Sequence, residues 1–433
     1  LSIEKTPLEL NADFKYALDL IEKTDKSLFI TGKAGTGKST LLQLFRNTTR
    51  KKTVVLAPTG IAALNVKGQT IHSFFGFPPK MFDQSDIKKR RNRRLYKNIE
   101  VLIIDEISMV RADLLDNIDY FLRLNRESPL PFGGLQVVFF GDLFQLPPVI
   151  ASNVEAQLFQ LQYDSPYFFS ARIFQEGFEM EMMELRKVYR QENRHFLRLL
   201  EAVRLNQIDH DDLEDLNERC IPDFQAQDFY ITLSARNATV DAINEKELKK
   251  IPLDEQIYQA SITGQFKPNL FPADPLLKLK LNAQVMFVKN DPKRQFVNGT
   301  IGKIVKLEND SVTVMVEDLQ GKREYIEVER MDWEILRYKE SKEDSSKIES
   351  EVIGTFKQYP LRLAWAITIH KSQGKTFERV IIDLGKGAFE HGQTYVALSR
   401  CRTLEGIVLR QPIRFRDILT DERIVDFYEQ HFH

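Results

Sequence analysis

Residues 28–40 read LFITGKAGTGKST. The apolar run LFIT predicts a short buried strand, the glycines a tight turn, and STLLQLF a helix beginning at its end. Within the stretch, residues 32–39 satisfy the pattern G-x-x-x-x-G-K-[ST] at every position. Glycines let the backbone curl around an anion, so that several N–H groups and a helix N-terminus face a phosphate. Read this way, Gly35, Thr36, Gly37 and Thr40 shape the cradle, Lys38 reaches the β- and γ-phosphates of a nucleotide, and the Ser39 hydroxyl ligates Mg²⁺. The strand before the turn and the helix after it set this apart from a chance Gly-rich loop.

Phosphoryl transfer also needs a carboxylate for the metal and a group to position the attacking water. VLIIDEISMV, residues 101–110, supplies Asp105 and Glu106 at the end of an apolar strand. Asp105 would hold the metal through water and Glu106 would polarise the nucleophile; the plainer reading is an acidic helix start, favoured by the helix dipole. Asp-Glu instead of a lone Asp points to hydrolysis and away from a nucleotide-operated switch. In VVFFGDLFQLPPV, residues 137–149, Gln145 follows a strand and can reach a γ-phosphate, while Pro147 and Pro148 stiffen the outgoing loop. A strand followed by a rigid turn explains the same residues equally well.

Further apolar runs at Thr53–Ala57, Val101–Ile104 and 137–141 are spaced widely enough for crossover helices, which predicts a parallel sheet covered on both faces. The pattern restarts at 230–234, 364–368 and 380–384, so two α/β domains are expected. Between them, residues 283–336 alternate apolar and polar, with turn signals at Asn298-Gly299, Asn309-Asp310 and Gln320-Gly321. This texture predicts a small antiparallel barrel inserted in the second domain. The charged, Ser-rich 339–351 reads as a hairpin tip or mobile loop.

The 433 residues carry 61 Lys+Arg against 62 Asp+Glu, a net charge of −1. The two cysteines, Cys220 and Cys401, cannot build a disulfide framework and lack metal-site spacing, which suits a reducing compartment. No apolar run reaches the 18 or so residues of a membrane span. The start, LSIEKTPLEL, lacks signal-peptide architecture and leaves no room for a large targeting or regulatory domain, so a cytoplasmic, bacterial-type setting is expected, or a nuclear or mitochondrial one in a eukaryote. The near-zero net charge opposes a uniformly basic nucleic-acid surface. Locally, however, KKRRNRRLYK at 88–97 holds seven basic residues in ten and no acid. It suits either a phosphate-binding surface or a solvated helix face.

Taken together, these residues resemble superfamily-one helicases, and specifically the PIF (petite integration frequency) family of 5′-to-3′ DNA helicases. The likeness rests on GKAGTGKS, APTGIAALNVKGQTIHSFFG, IIDEISMV and PFGGLQVVFFGDLFQLPPV. It extends to LRKVYRQ, ITLSARNATVDAIN, AWAITIHKSQGKTFERVIIDLG and YVALSRCRTLEGIVL, all in family order. Residues 113–134 look like the family's own signature between the carboxylate and Gln motifs.

The resemblance implies an α/β protein of two tandem RecA-like P-loop domains. The first would span 1–184 with a small wedge insert at about 64–98; the second would span 185–433 with an SH3-like β-barrel insert at 285–351. It implies ATP and Mg²⁺ as cofactors, with Arg190 and Arg400 as arginine fingers and Gln373 and Gly374 facing the nucleotide. The nucleic-acid track it implies comprises Thr59, His72, Ser73, Phe75, Arg93 and Pro147, with His370, Lys371 and Ser372 from the second domain. For the adjacent Phe74 and Phe75, core packing is the better account of one of the two. One departure stands out: Phe14 occupies the place where the family carries an adenine-reading Gln, so adenine is read by other groups or less stringently.

The implied activity is ATP-driven 5′-to-3′ movement along single-stranded DNA. Partners would be single strands, single/double-strand junctions, forks, G-quadruplexes and RNA–DNA hybrids. A monomeric motor suffices, with a DNA-induced dimer as a further form. A RecD-type or phage-type helicase is the nearest alternative, and an RNA-directed helicase is disfavoured by the lack of a zinc-ligand module. From another class, an ATP-switched clamp is opposed by Glu106 and the two arginines, since a switch gains little from rapid hydrolysis.

Overall fold

A computed structural model describes residues 11–150, 153–191, 193–318, 321–341, 344 and 347–432. The expectation for the N-terminal start, residues 1–10, lies outside them. The strand Leu28–Gly32, buried at every position, sits between Gln136–Phe140 and Glu181–Leu185 in a six-stranded parallel sheet. The full order is Gln69–Thr70, Thr53–Ala57, Val101–Ile104, Gln136–Phe140, Leu28–Gly32, Glu181–Leu185. Continuous apolar runs form these central strands because both faces are covered, one by helices Ala12–Lys23 and Lys38–Thr48, the other by a larger core that includes Ala112–Arg126. A second parallel sheet has the order Ala366–Thr368, Ile231–Ser234, Val380–Asp383, Ile407–Leu409.

The β insert is wider than 285–351. Its strands begin at Glu255–Gln259 and end at Leu361–Leu363, forming a five-stranded antiparallel sheet, a three-stranded sheet and a pair. Glu255–Gln259 and Ser261–Gly264 are mostly exposed, so they lack the apolar alternation that marks a half-buried strand. The long hairpin Met331–Glu340 and Ile348–Gln358 closes where Ser341 N–H donates to Lys347 O at 3.0 Å. The expected tip thus narrows to 341–347, of which 342, 343, 345 and 346 lie outside the described residues, as does Gln320 of one expected turn.

The hairpin reaches the first sheet: Tyr338 Oη accepts Val55 N–H at 3.1 Å, and Tyr338 N–H donates to Gln69 Oε1 at 3.2 Å. The expected wedge also shrinks. Gln69–Thr70 pairs in the first sheet and Ile71–Phe75 packs against it, so the segment lying off the sheet is 76–98. An aromatic cluster anchors it, with Phe75 stacked on Phe77 at 5.3 Å and Tyr96 edge-on to Phe121 at 4.9 Å. The expected second domain, 185–433, loses its last helix to the first: Glu422–Phe432 stacks Phe427 on Phe169 at 4.4 Å, and Tyr428 Oη donates to Glu184 at 2.7 Å. Among the described residues no helix is long and apolar enough to cross a membrane.

Candidate nucleotide and nucleic-acid site

The phosphate loop sits at the C-terminal end of a central strand, where the backbone leaves the sheet and a helix begins. Gly35 adopts φ +86°, and a Cβ there would lie 2.5 Å from Arg190 Cβ, so no other residue fits. Gly37, at φ +89°, caps helix Lys38–Thr48. The Thr36 hydroxyl donates to Lys33 O at 2.9 Å, bracing the loop, while Ser39 and Thr40 are exposed on the first helical turn. Lys38 Nζ donates to Gly32 O and Lys33 O. Burial lowers its pKa, and the charges of Asp142 and Glu106 oppose that.

Asp105 and Glu106 follow the strand Val101–Ile104. Glu106 has φ 51° and ψ 45°, a left-handed conformation that costs a non-glycine residue about 1–3 kcal/mol and recurs at active sites. Burial and the neighbouring Glu106 push Asp105 up to about 7, with Lys38 pulling the other way. Burial likewise raises Glu106, against Lys38 and Arg400. Two adjacent carboxylates held at a cost in a half-buried site are what a divalent cation relieves. No group of three or more His, Cys, Asp or Glu that could cage a metal exists among the described residues. A site offering one carboxylate and the Ser39 hydroxyl fits Mg²⁺, which takes its remaining ligands from water and substrate phosphates.

Gln145 is buried and its amide donates to Asp142 Oδ2 at 3.2 Å. The two arginines meet at Ser399. Arg190 Nη1 donates to Ser399 O at 3.2 Å; Arg400, 1% exposed, donates from Nε to Val396 O at 3.0 Å and from Nη2 to Ser399 Oγ at 2.9 Å. Burial and the Arg400 charge push Arg190 down to about 9, and burial lowers Arg400. Such a pocket favours an incoming anion. The Gln373 side-chain nitrogen is buried without a hydrogen-bond partner, and Gly374, at φ +73°, has open space around it.

Sequence reasoning missed Asp142, Tyr395 and Gln191. Asp142 is 1% exposed and accepts from Phe144 N–H at 3.2 Å and Tyr395 Oη at 3.4 Å. Tyr395 Oη in turn accepts Ala34 N–H of the phosphate loop at 3.1 Å. The Gln191 amide donates to Ser399 O and Cys401 O, tying the two arginine segments together. For Asp142 and Tyr395 the available signal was a polar group embedded in the apolar strings FFGDLF and YVALS; Gln191, following VYR, carried none. Phe14, 3% exposed, packs in the core under Gly37, where a Cβ would lie 3.0 Å from its ring.

The residues expected on the nucleic-acid track divide. Thr59 caps helix Gly60–Asn65 by accepting Ala62 N–H at 3.2 Å, which leaves its own hydroxyl proton free to donate. His72 is half-buried, and burial together with the Arg111 charge lowers its pKa against the pull of Asp113, which disfavours the charged form. Ser73 is exposed and Pro147 half-buried. His370 Nε2 lies 2.9 Å from Glu390 Oε2, beside the exposed Lys371.

Two placements are corrected. Phe75 is fully buried against Phe74, Phe77 and Phe121, so it is core and offers no face to a base. Ser372 is fully buried, its hydroxyl donating to Ile369 O at 2.6 Å, so it shapes the turn that presents His370 and Lys371. In the basic segment, Lys89, Arg93 and Lys97 all converge on Glu127, and Arg90 bonds Phe75 O. The seven charges are therefore partly neutralised from the neighbouring helix end.

Comparison with known proteins gives a consistent result. A family model described as PIF1-like helicase matches residues 9–214. The ATP-dependent DNA helicase Pif1 of Bdellovibrio bacteriovorus is 34% identical over 98% of this chain and 92% of its own length. Against the zebrafish, mouse and human proteins of that name the chain spans 58%, 64% and 65% of their length. The crystal structure of Bacteroides sp Pif1 in complex with ADP-AlF4 matches with a TM-score of 0.90 at 38% identity, covering 98% of both chains. Bacteroides Pif1 bound to ssDNA matches with a TM-score of 0.68 at 39% identity, covering 97% of this chain and 96% of that one. The arrangement described above is therefore closer to the former than to the latter.

Proposed function

The chain belongs to the PIF1-like helicase family, and we propose that it is an ATP-dependent DNA helicase that moves 5′-to-3′ on single-stranded DNA and separates duplex ahead of it. The observation that carries this reading is the convergence on one phosphate loop of groups from two α/β domains. In support, the charges of Glu106 and Arg190 act on Lys38, that of Arg400 acts on Glu106, Arg190 packs on Gly35, and Gln145 joins the group through Asp142. Hydrolysis at a site shared between two bodies changes how they meet, and each body carries a donor-rich loop suited to a DNA strand: Thr59, His72 and Ser73 on one, His370 and Lys371 on the other.

Mg²⁺ would be held by Ser39 and, through water, by Asp105. ATP would be gripped by Gly35, Thr36, Gly37, Lys38 and Thr40, with Gln373 and Gly374 closing over it. Bacteroides Pif1 has been crystallised bound to ssDNA, and another matching structure is described as the structural basis for DNA unwinding at forked dsDNA by two coordinating Pif1 helicases. For this chain we extend that to junctions and forks, to G-quadruplex and RNA–DNA hybrid substrates, and to a monomeric motor able to pair on DNA. Its two free thiols suit a reducing, cytoplasmic setting.

Strand displacement from a 5′-tailed and a 3′-tailed duplex, set beside ATPase on single strands, tests the reading. It expects ATP-dependent displacement on the 5′-tailed substrate alone, abolished by Lys38→Ala. DNA-stimulated ATPase with no displacement on either substrate would identify a clamp instead of a helicase.

A further inference from the structure

Arg204 ends helix Arg194–Arg204, outside every motif named above, and its side chain is fully buried. Three carboxylates from three parts of the chain surround it: Asp142 at 3.7 Å, Glu184 at 3.5 Å and Glu201 at 3.4 Å. Its guanidinium lies 4.3 Å from the ring centroid of Phe144 and 4.9 Å from that of Tyr428, so the Gln-motif loop and the C-terminal helix both contribute an aromatic face. Burial alone would lower its pKa; the surrounding carboxylates, Asp142 foremost, raise it. Nε and Nη2 nonetheless make no hydrogen bond of full geometry, and the Tyr428 hydroxyl shares the guanidinium with the carboxylates. A buried cation whose Nε and Nη2 face carboxylates at 3.7 Å and 3.5 Å is poised for a shorter contact.

The surroundings form a circuit. Lys33 Nζ of the phosphate loop lies 3.0 Å from Glu201 Oε2, and Glu201 pairs with Arg204. Arg204 faces Asp142, which holds the Gln145 amide and the Tyr395 hydroxyl; Tyr395 returns to Ala34 N–H, the next residue of the phosphate loop. We infer that Arg204 is a positioning residue for ATP hydrolysis, acting through Asp142 to place the Gln145 amide against the phosphate loop. The inference rests on the reading of Gln145 as a γ-phosphate-facing group. Removing the guanidinium would leave Asp142 and Glu184 as uncompensated neighbours and free Asp142 to shift, carrying Gln145 with it.

The test is DNA-stimulated ATPase of the full chain, well below its melting temperature, for Arg204→Met, Arg204→Lys, Gln145→Ala and their doubles. Arg204→Met should lower kcat at least about tenfold with KM changed less than about threefold, as expected for misplacement of a reacting group. Arg204→Lys, which keeps a charge toward Asp142, should recover most of the loss. In the Gln145→Ala background, Arg204→Met should lower kcat by no more than about twofold, because the group it positions is gone. Equal fold-losses in both backgrounds, or a lowered melting temperature with kcat intact, would overturn the inference. If Arg204→Met does not fold, Asp142→Asn breaks the same link from its other end and must show the same dependence on Gln145. Should Gln145→Ala itself leave kcat unchanged, the reading of Gln145 falls first and separately.

Discussion

The Tyr395 hydroxyl accepts the Ala34 backbone N–H at 3.1 Å, so a helix of the second α/β domain holds the phosphate loop of the first. Both groups are buried, Ala34 at 7% and Tyr395 at 4% exposure, so water cannot replace the bond. The same hydroxyl points its proton at Asp142 Oδ2. One hydroxyl therefore bridges the phosphate loop and Asp142, the links on which the proposed coupling of hydrolysis to domain movement depends.

Tyr395→Phe removes only that oxygen and strands a buried N–H. The expected loss of stability is about 1–3 kcal/mol, read as a lower urea midpoint with an unchanged slope. An unchanged midpoint would mean the amide finds another partner.

Glu106→Gln should lower kcat about 10²–10⁴-fold, the range for losing a general base, while leaving ATP affinity nearly unchanged. Burial raises the folded-state pKa of Glu106, so its ionised form opposes folding. That penalty is absent below the unfolded value of about 4.5 and grows as pH rises above it. The nucleotide-free variant should accordingly melt higher than wild type at pH 8 and equal to it near pH 4, by thermal scans in parallel buffers.

Glu127 is held down to about 2 by hydrogen bonds from Lys97 and Arg93 and by their charges. A depressed carboxylate contributes stability that is present above about pH 4.5 and lost as pH falls through about 2. Glu127→Gln should flatten the stability curve across that acid window. It should also release Lys89, Arg93 and Lys97, so the slope of log Kd for single-stranded DNA against log salt becomes steeper if segment 88–97 touches phosphates. An unchanged slope would assign the segment to solvent.

Phe75→Ala should cost about 3–5 kcal/mol of stability, the range for deleting a fully buried aromatic ring, with little effect on DNA affinity of the folded protein. A large loss of affinity without a loss of stability would return Phe75 to the nucleic-acid track.

How much was legible follows from how local each signal is. The loop 32–39 and the pair Asp105-Glu106 were readable because their chemistry is written in consecutive residues. The β insert was legible only over its half-buried strands; Glu255–Gln259 and Ser261–Gly264 expose too much of themselves to show a period. Phe74 and Phe75 looked alike in a chain with 30 Phe, and only packing showed that both are core. Ser372 resembled an exposed hydroxyl because turn geometry, which points it inward, leaves no mark on composition.

The sequence alone determined the class of chemistry: glycines that curve a backbone around phosphate, a lysine and serine beside them, and a carboxylate pair on an apolar strand. These need only neighbours along the chain. Tertiary structure decided everything that joins distant segments, including the return of helix Glu422–Phe432 to the first sheet, the pairing of Lys89, Arg93 and Lys97 with the single carboxylate of Glu127, and the burial of Arg204 among Asp142, Glu184 and Glu201. The physical reason is that a charge or a ring acquires its role from what removes water around it. Residues tens to hundreds of positions apart do most of that here, so no local pattern could announce it.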